Sequence, residues 1–111
     1  MSQLPTTERE LQQWVLAVAK MGRWMAYHTF DSRRSQPGFP DLILIRGTTL
    51  IAAELKVGGN HPSPIQLEWL EAFAAVRRVE AMVIRDGAEY DGVAERLLRA
   101  DAHTEGQDGT R

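Results

Sequence analysis

Two acids and a lysine stand at the outer ends of two neighbouring apolar runs. Asp41 heads the run DLILIR, and Glu54 and Lys56 sit near the end of LIAAELK. The Gly47-Thr48 pair between the runs suits a type II′ hairpin turn, whose first central position favours glycine. With Arg46 facing Thr49, Ile45 lies opposite Leu50, Ile43 opposite Ala52 and Asp41 opposite Glu54. That register would hold two carboxylates on one face with α-carbons about 4.5–5.5 Å apart. Lys56, two residues past Glu54, shares the face by strand alternation. Partly buried anions at this spacing repel unless a shared proton, a basic neighbour or a hard divalent cation balances them. Such oxygens suit Mg²⁺, which keeps waters for a substrate, and an adjacent ammonium can orient a water nucleophile or offset charge growing on a phosphate. A plainer reading makes Asp41 a turn cap and Glu54 and Lys56 an ordinary ion pair. Against it, a glutamate inside LIAAEL is costly in a strand covered on both faces.

The elements that must position these residues belong to one domain. The chain has 111 residues, 43% hydrophobic and 25% charged, which is ordinary for a globular protein. It contains no cysteine, excluding disulfide frameworks, zinc knuckles, iron–sulfur clusters and thiol nucleophiles. No apolar stretch approaches the ~20 residues of a membrane span, and MSQLPTTERE lacks the pattern of a secretory leader, so a cytoplasmic protein is expected. The formal net charge of −2 conceals a segregation. Lys20, Arg23, Arg33, Arg34, Arg46 and Lys56 outnumber Asp31, Asp41 and Glu54 in the central segment, whereas acids dominate after residue 61. With Asp41 and Glu54 neutralised by a cation, the centre becomes a positive surface on an acidic body. Residues 101–111, DAHTEGQDGTR, are polar and aperiodic, and are expected to be disordered.

Thr7 and Glu10 have capping-box spacing, predicting a first helix from about Pro5–Thr7 with Leu11, Val15, Val18 and Gly22 on its inner stripe. At 100° per residue Glu8 falls on the inward edge of that stripe and Glu10 on the far side. Trp24–Phe30 reads as a strand, followed by the loop DSRRSQPGFP. Both faces of the hairpin are apolar, predicting a central sheet covered on both sides. Ser63-Pro64-Ile65-Gln66 starts a second helix running to about Arg77. Glu80–Arg85 is a further strand, and Val93, Leu97 and Leu98 mark a short last helix. The order α-β-β-β-α-β-α defines an α/β fold with a mixed central sheet flanked by helices. His28, Ser32, Arg33 and Arg34 either solvate a loop or, beside a metal site, hold phosphates. His61 either touches a phosphate or caps its loop. Trp14, Trp24 and Trp69 read as core or dimer-interface residues before base-stacking ones, since none lies in a basic patch.

Pro40-Asp41, twelve intervening residues, then Glu54-Leu55-Lys56 resembles the PD-(D/E)xK nuclease signature. The longer string GFPDL, ELK and SPIQLEWLEAF, with an early-helix glutamate and HTFDSRRS upstream, resembles the VRR-NUC branch of that superfamily over Glu8 to Arg85. The resemblance implies a restriction-endonuclease-like α-β-β-β-α-β core, with a single nuclease domain over residues 1–100. It also implies a metal-dependent endonuclease hydrolysing DNA phosphodiesters. Asp41 and Glu54 would bind Mg²⁺ or Mn²⁺, with the Leu55 carbonyl as a further ligand and Glu8, or Glu10 in its place, binding metal directly or through water. Lys56 would position or activate the attacking water, and Gln66 would assist from the second helix or serve only its cap. Single-domain members look like homodimeric resolvases of four-way DNA junctions, many of them phage-encoded and so acting in a bacterial host cytoplasm. No small-molecule substrate and no membrane partner are implied. The rivals are a non-catalytic DNA- or protein-binding module on the same fold, and a structural subunit of a larger assembly.

Overall fold

In the structure, a computed structural model, residues 7–29, 36–86 and 90–100 are described. The elements run α1 (Glu8–Met21), β1 (Met25–His28), β2 (Leu42–Arg46), β3 (Thr49–Lys56), α2 (Pro64–Ala74), β4 (Val79–Arg85) and α3 (Tyr90–Leu98). Ser32, Arg33, Arg34 and the tail expected to be disordered lie outside the described residues.

The hairpin forms as its turn residues dictate. Gly47 takes φ +61°, and Thr48 is not among the residues with positive φ, which is the type II′ rather than the type I′ pattern. The β2–β3 register pairs Leu42 with Ala53, Ile43 with Ala52 and Arg46 with Thr49, as the turn requires. β1 adds antiparallel to β2, and β4 adds parallel to β3 after the α2 crossover, giving a mixed four-stranded sheet in the order β1-β2-β3-β4.

Helix boundaries follow local chemistry. Thr7 Oγ1 accepts the Glu10 N–H at 3.1 Å and caps α1. At the other end the Arg23 N–H reaches the Lys20 carbonyl and the Trp24 N–H reaches the Ala19 carbonyl, the paired bonds of a Schellman motif. The residue in the left-handed conformation there is Arg23, φ +68°, although Gly22 stands beside it. Gly22 serves another purpose: a Cβ there would lie 2.1 Å from the Leu97 carbonyl oxygen, so only glycine lets α1 and α3 approach this closely. Ser63 and Gln66 form the reciprocal capping box of α2 expected from sequence, and α2 ends at Ala74, short of Arg77.

One face of the sheet carries the main core. Leu42, Leu44, Ile51, Ala53, Leu55 and Ile84 are buried beneath α1 residues Leu11, Val15, Val18 and Ala19 and α3 residue Leu97. Each such Leu or Ile contributes about 1.5–3 kcal/mol by leaving water. α2 covers the other face over β3 and β4. The expected cover on both sides therefore holds for β3 and fails for the outer pair. Met25, Tyr27 and Ile45 are exposed, and Met25 pairs with Ile45, so the uncovered face is continuous across β1 and β2. The physical reason is reach: one helix of 11 residues spans only the two strands it connects.

Trp24 is a core residue. Its Nε1–H donates to the Leu97 carbonyl at 2.8 Å, and the Arg46 guanidinium lies 4.3 Å from its ring centroid. Trp14 packs against the same core, and Trp69 sits in an edge-on aromatic cluster with Phe39 and Phe73.

Candidate active site

The site begins with Pro40-Asp41 at the entry to β2. Pro40 is buried, and Thr29 holds this peptide segment twice, its N–H donating to the Asp41 carbonyl and its hydroxyl to the Pro40 carbonyl, both at 2.9 Å. The Asp41 carboxylate accepts the Leu55 N–H at 2.9 Å through Oδ2, fastening the head of β2 to β3. Asp41 thus stands one residue before β2, where continuing the observed register sets it opposite Glu54.

Glu54 is the unusual residue of the molecule. It is 1% exposed in a strand buried on both faces. Its Oε2 lies 3.4 Å from Lys56 Nζ, while its Oε1 is buried with no hydrogen-bond partner among the described residues. Burial pushes its carboxyl up to about 7, the Asp41 charge pushes in the same direction, and Lys56 offsets part of the shift. A buried carboxylate with an orphaned oxygen is costly to folding unless a further partner completes it.

Asp41, Glu54 and Lys56 are therefore brought together as expected, and the donor set fits a hard divalent cation: two carboxylates that raise each other's cost and one vacant lone-pair site. The remaining expected site residues are placed less simply. Glu8 is exposed in the first turn of α1. This differs from the inward edge that the helical period predicts; Cβ vectors tilt toward a helix N-terminus, so a residue of the opening turn has no further turn of its own helix to pack over. Among the described residues no three His, Cys, Asp or Glu side chains gather closely enough to hold a metal ion, so neither Glu8 nor Glu10 joins the pair directly. Gln66 has its carboxamide oxygen occupied by the Ser63 N–H at 2.8 Å. His61 is exposed in the loop before α2, and His28, half-buried, ends β1.

Arg85 is a site neighbour that sequence reasoning passed over. Parallel pairing of β3 with β4 sets it directly beside Lys56. Its signal lay in matching LIAAELK against VEAMVIR, but that register depends on a non-local crossover and has no turn to announce it.

The chain resembles a solved structure of a VRR_NUC domain protein, with 25% sequence identity, a TM-score of 0.55, and coverage of 73% of this chain and 79% of that one. No family model matches the chain, and no curated protein does. The likeness supports the VRR-NUC family and its restriction-endonuclease-like core, which the observed element order and mixed sheet match.

Proposed function

We propose that this chain is a divalent-cation-dependent DNA endonuclease that acts as a homodimer on four-way junctions. The observation that carries the reading is Glu54, a buried carboxylate with one oxygen unpartnered, set beside Asp41 and within 3.4 Å of the Lys56 ammonium. The likeness to a VRR_NUC domain protein supports nuclease chemistry for this arrangement.

Asp41 and Glu54 would hold Mg²⁺ or Mn²⁺, with the Leu55 carbonyl as a further ligand and Glu8 acting through water. When bound, the cation supplies an activated water and a counter-charge for the scissile phosphate. Lys56 orients the attacking oxygen and offsets charge on the phosphate as the bond to the leaving group breaks. Gln66 offers its NH₂ group to substrate, since its oxygen already accepts the Ser63 N–H that caps α2. His28, Ser32, Arg33, Arg34 and His61 would hold flanking phosphates, and Arg33→Ala should flatten the salt dependence of binding without altering metal affinity. Dimerisation is part of the proposal because two-fold symmetry suits two symmetric cuts in a four-way junction.

Synthetic four-way junctions and linear duplexes, incubated with Mg²⁺, Mn²⁺ or EDTA, test the reading. Junctions should be cut only with metal, by a species of twice the chain mass in light scattering. Binding without metal-dependent cutting would instead mark a non-catalytic module on this fold.

A further inference from the structure

We infer that Arg85 and Asp86 are positioning residues: together they clamp the turn from Val57 to Asn60 and so fix the path by which the chain passes from Lys56 to His61 and the opening of α2. For the reaction it serves, this inference rests on the nuclease reading above.

One turn is held at both polarities. Arg85 Nη2 donates to the carbonyls of Gly58, at 3.5 Å, and of Asn60. The carboxylate of the next residue, Asp86, accepts the Gly58 N–H at 3.2 and 3.4 Å. Two successive residues at the end of β4 thus bind the carbonyls of the turn through a cation and its amide through an anion. The turn closes on itself by the Asn60 N–H to the Val57 carbonyl at 3.3 Å.

Its place in the chain makes that clamp matter. The turn leaves β3 immediately after Lys56 and leads through His61 to Ser63, the N-cap of α2. It carries Gly58-Gly59, the least restrained dipeptide the chain can offer, and both glycines are exposed. Without outside ties such a segment samples many conformations, and the spacing between Lys56 and the α2 end would vary with it. Adjacent strands lie about 4.8 Å apart, so Arg85 and Lys56 also stand as neighbouring cations on one face. Turning the Arg85 guanidinium onto peptide carbonyls gives its charge a partner away from the lysine.

Arg85→Ala and Asp86→Ala alter charge in opposite directions but break the same clamp. A positioning role predicts that both lower the single-turnover cleavage rate by about tenfold or more, since small misplacements of reacting groups are costly. Any change in DNA affinity should be small and of the same sign in both variants, since both release the turn that leads to His61, and the Gly58 amide should exchange its hydrogen faster in both. Asp86→Asn and Arg85→Gln keep an acceptor and a donor while losing the charge, and should recover most of the rate. Should either alanine variant fail to fold, these two carry the test. The inference is overturned if Arg85→Ala weakens DNA binding while Asp86→Ala tightens it, because the residues then act as charges on the substrate. It is equally overturned if both variants match the parent in rate and amide exchange. A parent protein that cuts no DNA with any metal removes the nuclease reading itself, whereas a cutting parent with unaffected variants removes the clamp alone.

Discussion

The two ends of the β2–β3 hairpin have the same backbone and opposite electrostatics. At the turn end Arg46 is well matched: its Nη1 donates to the carbonyls of Gly22 and Leu97 at 2.9 and 3.2 Å, its Nη2 donates to that of Arg99, and its plane lies over Trp24. One cation there joins the end of α1, the end of α3 and the sheet. At the open end Glu54 is buried with an oxygen unpartnered and its proton affinity raised. The contrast separates a site that stabilises the fold from one that burdens it. Burdens of the second kind gather where function needs a poised charge.

Substitutions at the open end should give the largest effect. Asp41→Asn, Glu54→Gln and Lys56→Ala should each reduce metal-dependent cutting by about a hundredfold or more while circular dichroism stays native. Full activity in any one of them would remove that residue from the chemistry.

At the turn end Arg46→Ala should leave metal binding alone and lower unfolding free energy by about 2 kcal/mol in chemical denaturation, since the part-buried Gly22 carbonyl loses its charged donor and Trp24 loses its covering cation. A loss below about 0.5 kcal/mol would mean that water replaces these bonds at little cost, and would dissolve the contrast.

Stability of the metal-free protein should fall as pH rises from 4.5 to about 7. The folded Glu54 keeps its proton until about pH 7, whereas the unfolded chain releases it near 4.5, so within that window the native state binds the extra proton. The integrated effect is of order 3 kcal/mol, at about 1.4 kcal/mol per pH unit. Thermal melting should therefore peak on the acid side, and both Mg²⁺ and Glu54→Gln should flatten the profile. A profile already flat in the parent would mean Glu54 is satisfied without metal.

The smallest effect belongs to the helix end that the turn-end cluster ties down. Arg23→Gly should raise stability by about 1 kcal/mol, because Arg23 holds a left-handed conformation that glycine adopts freely. Gly22→Ala, one residue away, should do the opposite, since its Cβ would collide with the Leu97 carbonyl.

What could be read directly from sequence was local. Gly47-Thr48 and strict alternation set the hairpin register, and with it the meeting of Asp41, Glu54 and Lys56, because a two-residue turn leaves no freedom to slip. Ser63 and Gln66 announced their own cap for the same reason. Three features were decided only when distant segments packed. The parallel β3–β4 register brought Arg85 beside Lys56 through a crossover whose length does not dictate it. The close approach of α3 claimed Gly22 and left the left-handed position to Arg23. The limited reach of α2 left Met25, Tyr27 and Ile45 uncovered. Chain neighbours are constrained by dihedral geometry, but contacts across the sheet depend on shapes that exist only once the whole fold has assembled.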